Sequence, residues 1–184
     1  MPVIALRGIT VFPNVMIHFE VAREISVKAL EDAMSAGQPV FLVAQKDISV
    51  EEPSSRDLYT VGTISNIRQI LRMPGDNMRV MVEGHSRGRL IQLTESVPYL
   101  KAQVQEIPEE EAPARPTPRQ EALMRATYDL FQEYSELAPK VSPDLIVHLL
   151  ASQEPGYIAD YIAQNIAMRS DDKPGVELRS VSSS

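Results

Sequence analysis

The sequence predicts an α+β protein, in which a mainly antiparallel β lobe with one helix precedes a small α-helical bundle. Up to residue 107, apolar residues fall in the short continuous or alternating runs typical of strands. Beyond residue 118 they recur at helical spacing. Between these parts, residues 108–118 combine four prolines with a run of acids, which neither a strand nor a helix interior accepts.

These observations divide the chain into four parts. We expect a β lobe at residues 1–107, a Pro/Glu-rich linker at 108–118 and a helical lobe at 119–173. Residues 174–184 end in a serine-rich stretch that has little apolar surface to bury. We expect this tail to be disordered and non-native.

Two apolar runs in the β lobe, residues 3–7 and 40–44, predict buried strands, and the second is apolar throughout. Between them, residues 24–34 repeat apolar side chains at helical spacing, and Gly37 is suited to end that helix. The lobe therefore begins with a strand, a helix and a strand.

A long hairpin follows, with strands at residues 61–73 and 78–83 joined by the turn-forming sequence PGDN. The return strand alternates cleanly, which predicts a sheet with one wet face. Isoleucines in the outgoing strand break the two-residue period, so we expect a bulge near Asn66. A last alternating strand near residues 100–104 brings the expected number to about six.

Three helices are predicted in the second lobe, at residues 119–137, from Pro143, and at 155–168. The apolar face of the first helix is predicted to consist of Leu123, Thr127, Leu130, Phe131, Tyr134 and Leu137. The stripe on the third helix consists of Ile158, Tyr161, Ile162 and Ile166. Because three helices can cover only part of such faces, we expect apolar surface to stay exposed on the third helix.

The bulk composition excludes several classes of function. A net charge of -7 disfavours a protein that neutralises nucleic-acid phosphates. Disulfides and thiolate metal sites are excluded because the chain has no cysteine. No segment approaches the roughly 20 apolar residues that a membrane span needs. We expect a cytoplasmic protein that contacts neither nucleic acid nor membrane.

The residue types needed for catalysis do not occur in a recognisable pattern. No lysine lies in the glycine-rich context of a phosphate loop, and no GxSxG sequence presents a nucleophilic serine. The histidines, His18, His85 and His148, are far apart in sequence and lack the spacing of metal ligands. The sequence predicts no catalytic residue, no metal site and no cofactor.

Two groups of residues are candidates for contact with a protein partner. The start of the first helix carries charged side chains that the core does not need, and methionines near the hairpin tip offer adaptable apolar contact. The candidates are Arg23, Glu24, Lys28, Met73, Met78 and Met81. The alternatives are a solvated helix face, on which Glu24 and Lys28 pair, and methionines that fill the core.

A third group is a possible basic stripe around the hairpin. Its members are Arg68, Arg72, Arg79, Arg87 and Arg89. If these arginines share one face, they could bind nucleic acid. The chain has no tryptophan, however, and few aromatic residues that could stack on bases. The alternative is that they are solvent-facing strand residues that protect the sheet.

Several strings resemble the amino-terminal domain of Lon-type ATP-dependent proteases, in colinear order over residues 1–173. They are LRGITVFP at 6–13, VARE at 21–24, FLVAQKD at 41–47, DLYTVGT at 57–63, VEG at 82–84 and IADYIA at 158–163. The sequence departs from the family at Ala5 and His18, where proline is usual or frequent. It also departs at Pro174 and Gly175, where the family continues as a helix.

The resemblance implies a PUA-like β lobe followed by a helical bundle, which recognises unfolded, damaged or tagged protein substrates in protein quality control. It also implies a contribution to assembly of the Lon hexamer. ATP, Mg²⁺ and the Ser-Lys peptidase dyad belong to family domains that this chain lacks, so it should hydrolyse neither ATP nor peptides. The alternative is a free-standing PUA-like or cereblon-like module that binds a ligand or nucleic acid.

Overall fold

The computed structural model describes residues 1–75, 77–108, 117–137, 143–152 and 154–166. They form two compact units, which divide between Pro108 and Glu109. Most of the predicted linker, the end of the predicted third helix and the whole of the predicted tail at 174–184 lie outside the described residues.

The described residues of the first unit form six strands, one α-helix and a short 3-10 helix at Ser55–Asp57. In chain order the main elements are β1 (Val3–Leu6), β2 (Met16–Val21), α1 (Glu24–Ala36), β3 (Val40–Ala44), β4 (Val61–Arg72), β5 (Met78–Glu95) and β6 (Lys101–Ile107). The expected fold class is confirmed. No strand was predicted at the position of β2.

The strands form one sheet in the order β1-β3-β4-β5-β2, with β6 also paired to β5. All pairs are antiparallel except β1 with β3. The start of β1 meets the start of β6, because Pro2 bridges to Lys101 and the Val3 amide donates to the Leu100 carbonyl at 2.8 Å. The sheet therefore closes on itself, and the residues just before β6 lie beside β1.

The hairpin has the predicted turn, and its register shifts at Ile64/Ser65 and Ile67/Gln69 confirm the irregularity near Asn66. The return strand, however, continues to Glu95, twelve residues beyond the predicted end at residue 83. Its glycines allow close packing: a Cβ at Gly88 would lie 2.6 Å from Val104 Cγ1.

The Phe41 side chain fills the interior beside two glycines that pair across β4 and β5, Gly62 and Gly88. A Cβ at Gly62 would lie 2.9 Å from Phe41 Cζ, and one at Gly88 would lie 3.0 Å from Phe41 Cε2. These distances are shorter than a carbon–carbon contact of about 3.5 Å. The ring occupies the space that two side chains would need.

The second unit contains α2 (Pro118–Leu137), α3 (Pro143–Ala151) and α4 (Pro155–Asn165). Thr117 and Gln120 cap α2: the Thr117 amide donates to Gln120 Oε1 at 2.8 Å, and the Gln120 amide donates to Thr117 Oγ1 at 3.3 Å. The helices meet at a small core, one buried side chain from each: Phe131, Leu149 and Ile158.

The predicted apolar face of α2 is only partly the buried one. Phe131 is buried, but Leu123, Leu130 and Leu137 are 59%, 67% and 79% exposed. The α4 stripe is better covered than expected, since Ile158 is buried and Ile162 and Ile166 pack against the core. Apolar surface stays exposed as predicted, but on α2 rather than α4, because the helices approach α2 from the Phe131 side.

Candidate functional site

A cleft of about 930 Å³ opens in the first unit beside the start of α1. Its walls are α1, the loop between β3 and β4, and the turn between β5 and β6. The apolar lining includes Val3, Ala5, Ile25, Leu93, Val97 and Leu100. Val97 is 81% exposed, which makes it the most prominent apolar side chain of the lining. Clefts of this size and composition are typical of ligand sites.

Arg23 lines the cleft but is held by three elements of the fold. Its Nη1 donates to Gln45 Oε1 at 2.9 Å and to the Glu51 carbonyl at 3.1 Å, and its Nη2 donates to the Ala5 carbonyl. Burial lowers the pKa of the Arg23 guanidinium, and the positive charge of Arg7 lowers it further. The expectation that the core does not need this charge is therefore wrong.

Glu24 and Lys28 are exposed on the cleft wall, in agreement with their predicted position on the free face of α1. No ion pair joins them among the described residues, so the expected i,i+4 pair is not formed. Both charged groups are available to a bound molecule.

The charged lining of the cleft is balanced. Arg7 contributes a third positive charge beside Arg23 and Lys28, and Glu51 and Glu52 add negative charge beside Glu24. Three formal charges of each sign cancel, so the cleft has little net attraction for a polyanion.

Two aspartates shape the loop that forms one wall. Asp57 Oδ2 accepts from the Ser54 amide at 2.9 Å and from Ser54 Oγ at 2.6 Å. Asp47 Oδ1 accepts in the same way from Ser49. The serine hydroxyl and then the serine amide lower the pKa of each carboxyl group. The loop is therefore fixed by ionised carboxylates.

The three candidate methionines do not share a surface. Met78 is 3% exposed and packs in the core, so the expectation of a partner contact there is wrong. Its side chain follows the buried face of β5 together with Val80 and Val82. Met73 is exposed near the hairpin turn, and Met81 lines a second, smaller concavity of about 230 Å³ with Leu71.

The hairpin arginines are largely paired with acids. Arg68 Nε donates to Glu83 at 2.7 Å, Arg79 pairs with Glu20 at 2.7 Å, and Arg72 pairs with Glu31. These pairs neutralise three of the five positions of the suggested basic stripe. The alternative interpretation, solvent-facing residues that protect the sheet, describes them better.

Sequence reasoning missed the apolar part of the cleft. Leu93, Val97 and Pro98 lie where the predicted strands left a gap, between residue 83 and residue 100. No local signal marked them, because single apolar residues are common on protein surfaces. Once β5 is known to reach Glu95, Val97 and Pro98 become the tip of a tight turn.

A closed β lobe with an open, charge-balanced cleft defines a binding domain. In the part of the chain that the structure describes, no cluster of His, Asp and Glu could hold a metal ion. None of the described helices is long and apolar enough to cross a membrane. The model of the ATP-dependent protease La (Lon) substrate-binding domain matches residues 1–176. The chain belongs to this family, which confirms the resemblance.

Curated relatives agree with this assignment. The chain is 39% identical over 173 residues to the Lon protease of Syntrophomonas wolfei and 35% identical over 175 residues to Lon protease 1 of Bacillus subtilis. Those alignments cover 94% and 95% of this chain, but 21% and 22% of the relatives. The chain therefore spans about a fifth of the length of these relatives, and the part it spans is the one that the substrate-binding domain model matches.

Solved structures show the same fold. The N-terminal domain of a Mycobacterium avium complex Lon protease superposes with a TM-score of 0.64 at 18% identity, covering 98% of this chain and 97% of that chain. The Lon N-terminal domain protein of Xanthomonas campestris gives a TM-score of 0.54 at 15% identity, covering 84% and 91%.

Proposed function

We propose that this domain captures unfolded or damaged protein segments in the cleft beside α1, on behalf of a cytoplasmic ATP-dependent protease that acts in protein quality control. In this proposal the domain also associates with other copies within the protease assembly. It binds and positions substrate, and it needs no ATP, metal or cofactor of its own.

The observation that carries the proposal is the composition of the cleft. Ile25, Leu93 and Val97 offer apolar contact to the side chains that an unfolded protein exposes. The rim carries both signs of charge in equal number, so it neither rejects nor selects a segment by net charge. A site that accepts many sequences needs these properties.

A nucleic acid is a poorer fit to the same surface. Binding to a phosphate backbone depends on unpaired Lys and Arg side chains, and three of the five hairpin arginines are engaged with Glu20, Glu31 and Glu83. A peptide segment also explains the apolar lining, which a phosphate backbone would not use.

The proposal is tested by titrating a fluorescently labelled, permanently unfolded protein against the wild-type chain and against Val97→Gln. Losing this apolar contact should weaken binding by roughly tenfold, since burial of one valine contributes about 1.5 kcal/mol or more. Raising the salt concentration should change the affinity little, because apolar contacts are not screened.

The matched control is Met34→Gln, which replaces another exposed apolar residue at the far end of α1. Its affinity should equal that of the wild type. Equal affinities for Val97→Gln and wild type would contradict the proposal. If Met81→Gln weakens binding instead, the substrate surface is the concavity on the hairpin.

A further inference from the structure

Three leucines, Leu123, Leu130 and Leu137, form an exposed row along α2, seven residues apart. Seven residues are nearly two helical turns, so the row runs along one side of the helix. Phe131 binds α2 to its own unit on another side. The row therefore remains uncovered by the described residues, and apolar spacing of this kind is typical of helix pairing.

A second row lies next to the leucines and consists of Arg119, Ala126 and Glu133, again seven residues apart. Both charged residues are exposed, and neither forms an ion pair with a described residue. The two charges are opposite and stand at equal distances on either side of Ala126. If a second copy of the helix is rotated by 180° about an axis through Ala126, each positive charge faces a negative one.

We propose that α2 is a self-association surface on which two copies of this chain pair antiparallel about a two-fold axis at Ala126. A two-fold contact brings the same patch of both copies together, so the patch must complement itself. Each Arg119 then faces Glu133 of the other copy. Ala126 meets its own copy, and its small side chain allows the helices to approach closely.

Two of the leucines, Leu123 and Leu130, fit the same axis. Each Leu123 comes level with Leu130 of the other copy to within one residue, a rise of about 1.5 Å. Two leucine contacts therefore flank the central alanines, and two ion pairs lie outside them. A parallel pair would instead place Arg119 against Arg119 and Glu133 against Glu133, and like charges repel.

This inference rests on the self-association included in the proposed function, and it is independent of the cleft. The interface is small, because a helix of 20 residues is about 30 Å long. We therefore expect a reversible dimer that dissociates on dilution rather than an obligate one.

Sedimentation velocity of the whole chain over a range of concentrations tests the association. Leu130→Gln should abolish the dimer, because it places an amide in the centre of the apolar contact. The matched control is Val147→Gln on α3, since Val147 is 66% exposed and Leu130 is 67% exposed. Circular dichroism of both variants should match that of the wild type.

Cysteine crosslinking tests the geometry, because the natural chain has no cysteine. Under oxidation Ala126→Cys should form a disulfide-linked dimer. Glu133→Cys should not, since the antiparallel axis separates the two thiols by 14 residues along the helix, about 21 Å. Each single variant, Arg119→Glu or Glu133→Arg, should weaken the dimer. The double variant, which carries both changes, should restore it.

A chain that is monomeric at every concentration, or that crosslinks equally at 126 and 133, would overturn the inference. So would a dimer that Leu130→Gln leaves intact. In each of these cases the affinity of the cleft for an unfolded protein, measured on the same samples, reports separately on the proposed substrate site.

Discussion

The β lobe and the helical unit bury their apolar side chains very differently. All five residues of β3 are buried, whereas α2 buries one of its 20 residues, Phe131. In the closed sheet β3 lies between β1 and β4, with α1 packed against the lobe, so both faces of the strand are covered. In the small helical unit, α2 is covered on one side only. Burial of its other side requires a contact from outside the unit.

The β lobe is complete because its sheet closes on itself, whereas the exposed side of α2 depends on contacts with neighbours. In the β lobe the start of the first strand pairs with the start of the last, and the cleft beside α1 is suited to a transient ligand. The helical unit presents an extended apolar row, which is suited to contact with another helix. The two regions are therefore built for two kinds of binding.

The largest expected effect is on the stability of the β lobe. Phe41→Ala should lower its free energy of unfolding by about 3–5 kcal/mol, because the ring fills the closed interior. Phe131→Ala should cost the helical unit less, since fewer neighbours surround that ring. Urea titrations followed by NMR signals of each unit give both values. Equal losses would show that the two cores are equally developed.

A second difference is expected in local opening. The amides of α4 should exchange with solvent faster than those of β3, by about tenfold or more, because a small core protects them. Hydrogen exchange measured on the intact chain, beside its sedimentation profile, provides the comparison. A strictly monomeric chain in which α4 is as protected as β3 would show that the helical unit is complete without a partner.

The smallest effect concerns the loop on the cleft wall. Hydrogen bonds from Ser54 lower the pKa of Asp57 in the folded protein. The stabilisation is therefore fully present above the pKa of an unfolded aspartate, and it is lost as the pH falls through the lowered value. Ser54→Ala should raise this pKa towards the ordinary one, as NMR titration of the carboxyl group would show. If the pKa of Asp57 were the same in Ser54→Ala as in the wild type, the Ser54 hydroxyl would not be the cause of the lowered value.

The sequence predicted those parts of the fold in which one local pattern dominates. Residues 40–44 could only be a buried strand, and PGDN could only be a turn. It failed where tertiary packing decides: the return strand was ended at residue 83, and its continuation to Glu95 depends on what packs against its glycines. It also failed for α2, because periodicity identifies an apolar face but not the side from which other helices approach.

The candidate site divides in the same way. The exposure of Glu24 and Lys28 was predicted correctly because charged residues of an amphipathic helix lie on its solvent-facing side. Arg23 was misjudged, since its acceptors at Ala5, Gln45 and Glu51 come from parts of the chain that only folding brings together. Val97 was missed because its exposure depends on a strand end that the sequence did not reveal.

The Phe41 ring packs against Gly62 and Gly88. This packing limits which substitutions the lobe can accept during evolution. A change at any one of the three positions leaves either a void or a collision, so single substitutions there should be removed by selection. A smaller residue at position 41 cannot make room at position 62, because a Cβ there would also lie 2.3 Å from the Leu42 carbonyl oxygen. Across related chains, position 62 should therefore stay glycine. A side chain larger than hydrogen at position 88 should appear only with smaller residues at positions 41 and 104, since a Cβ there would meet both Phe41 and Val104.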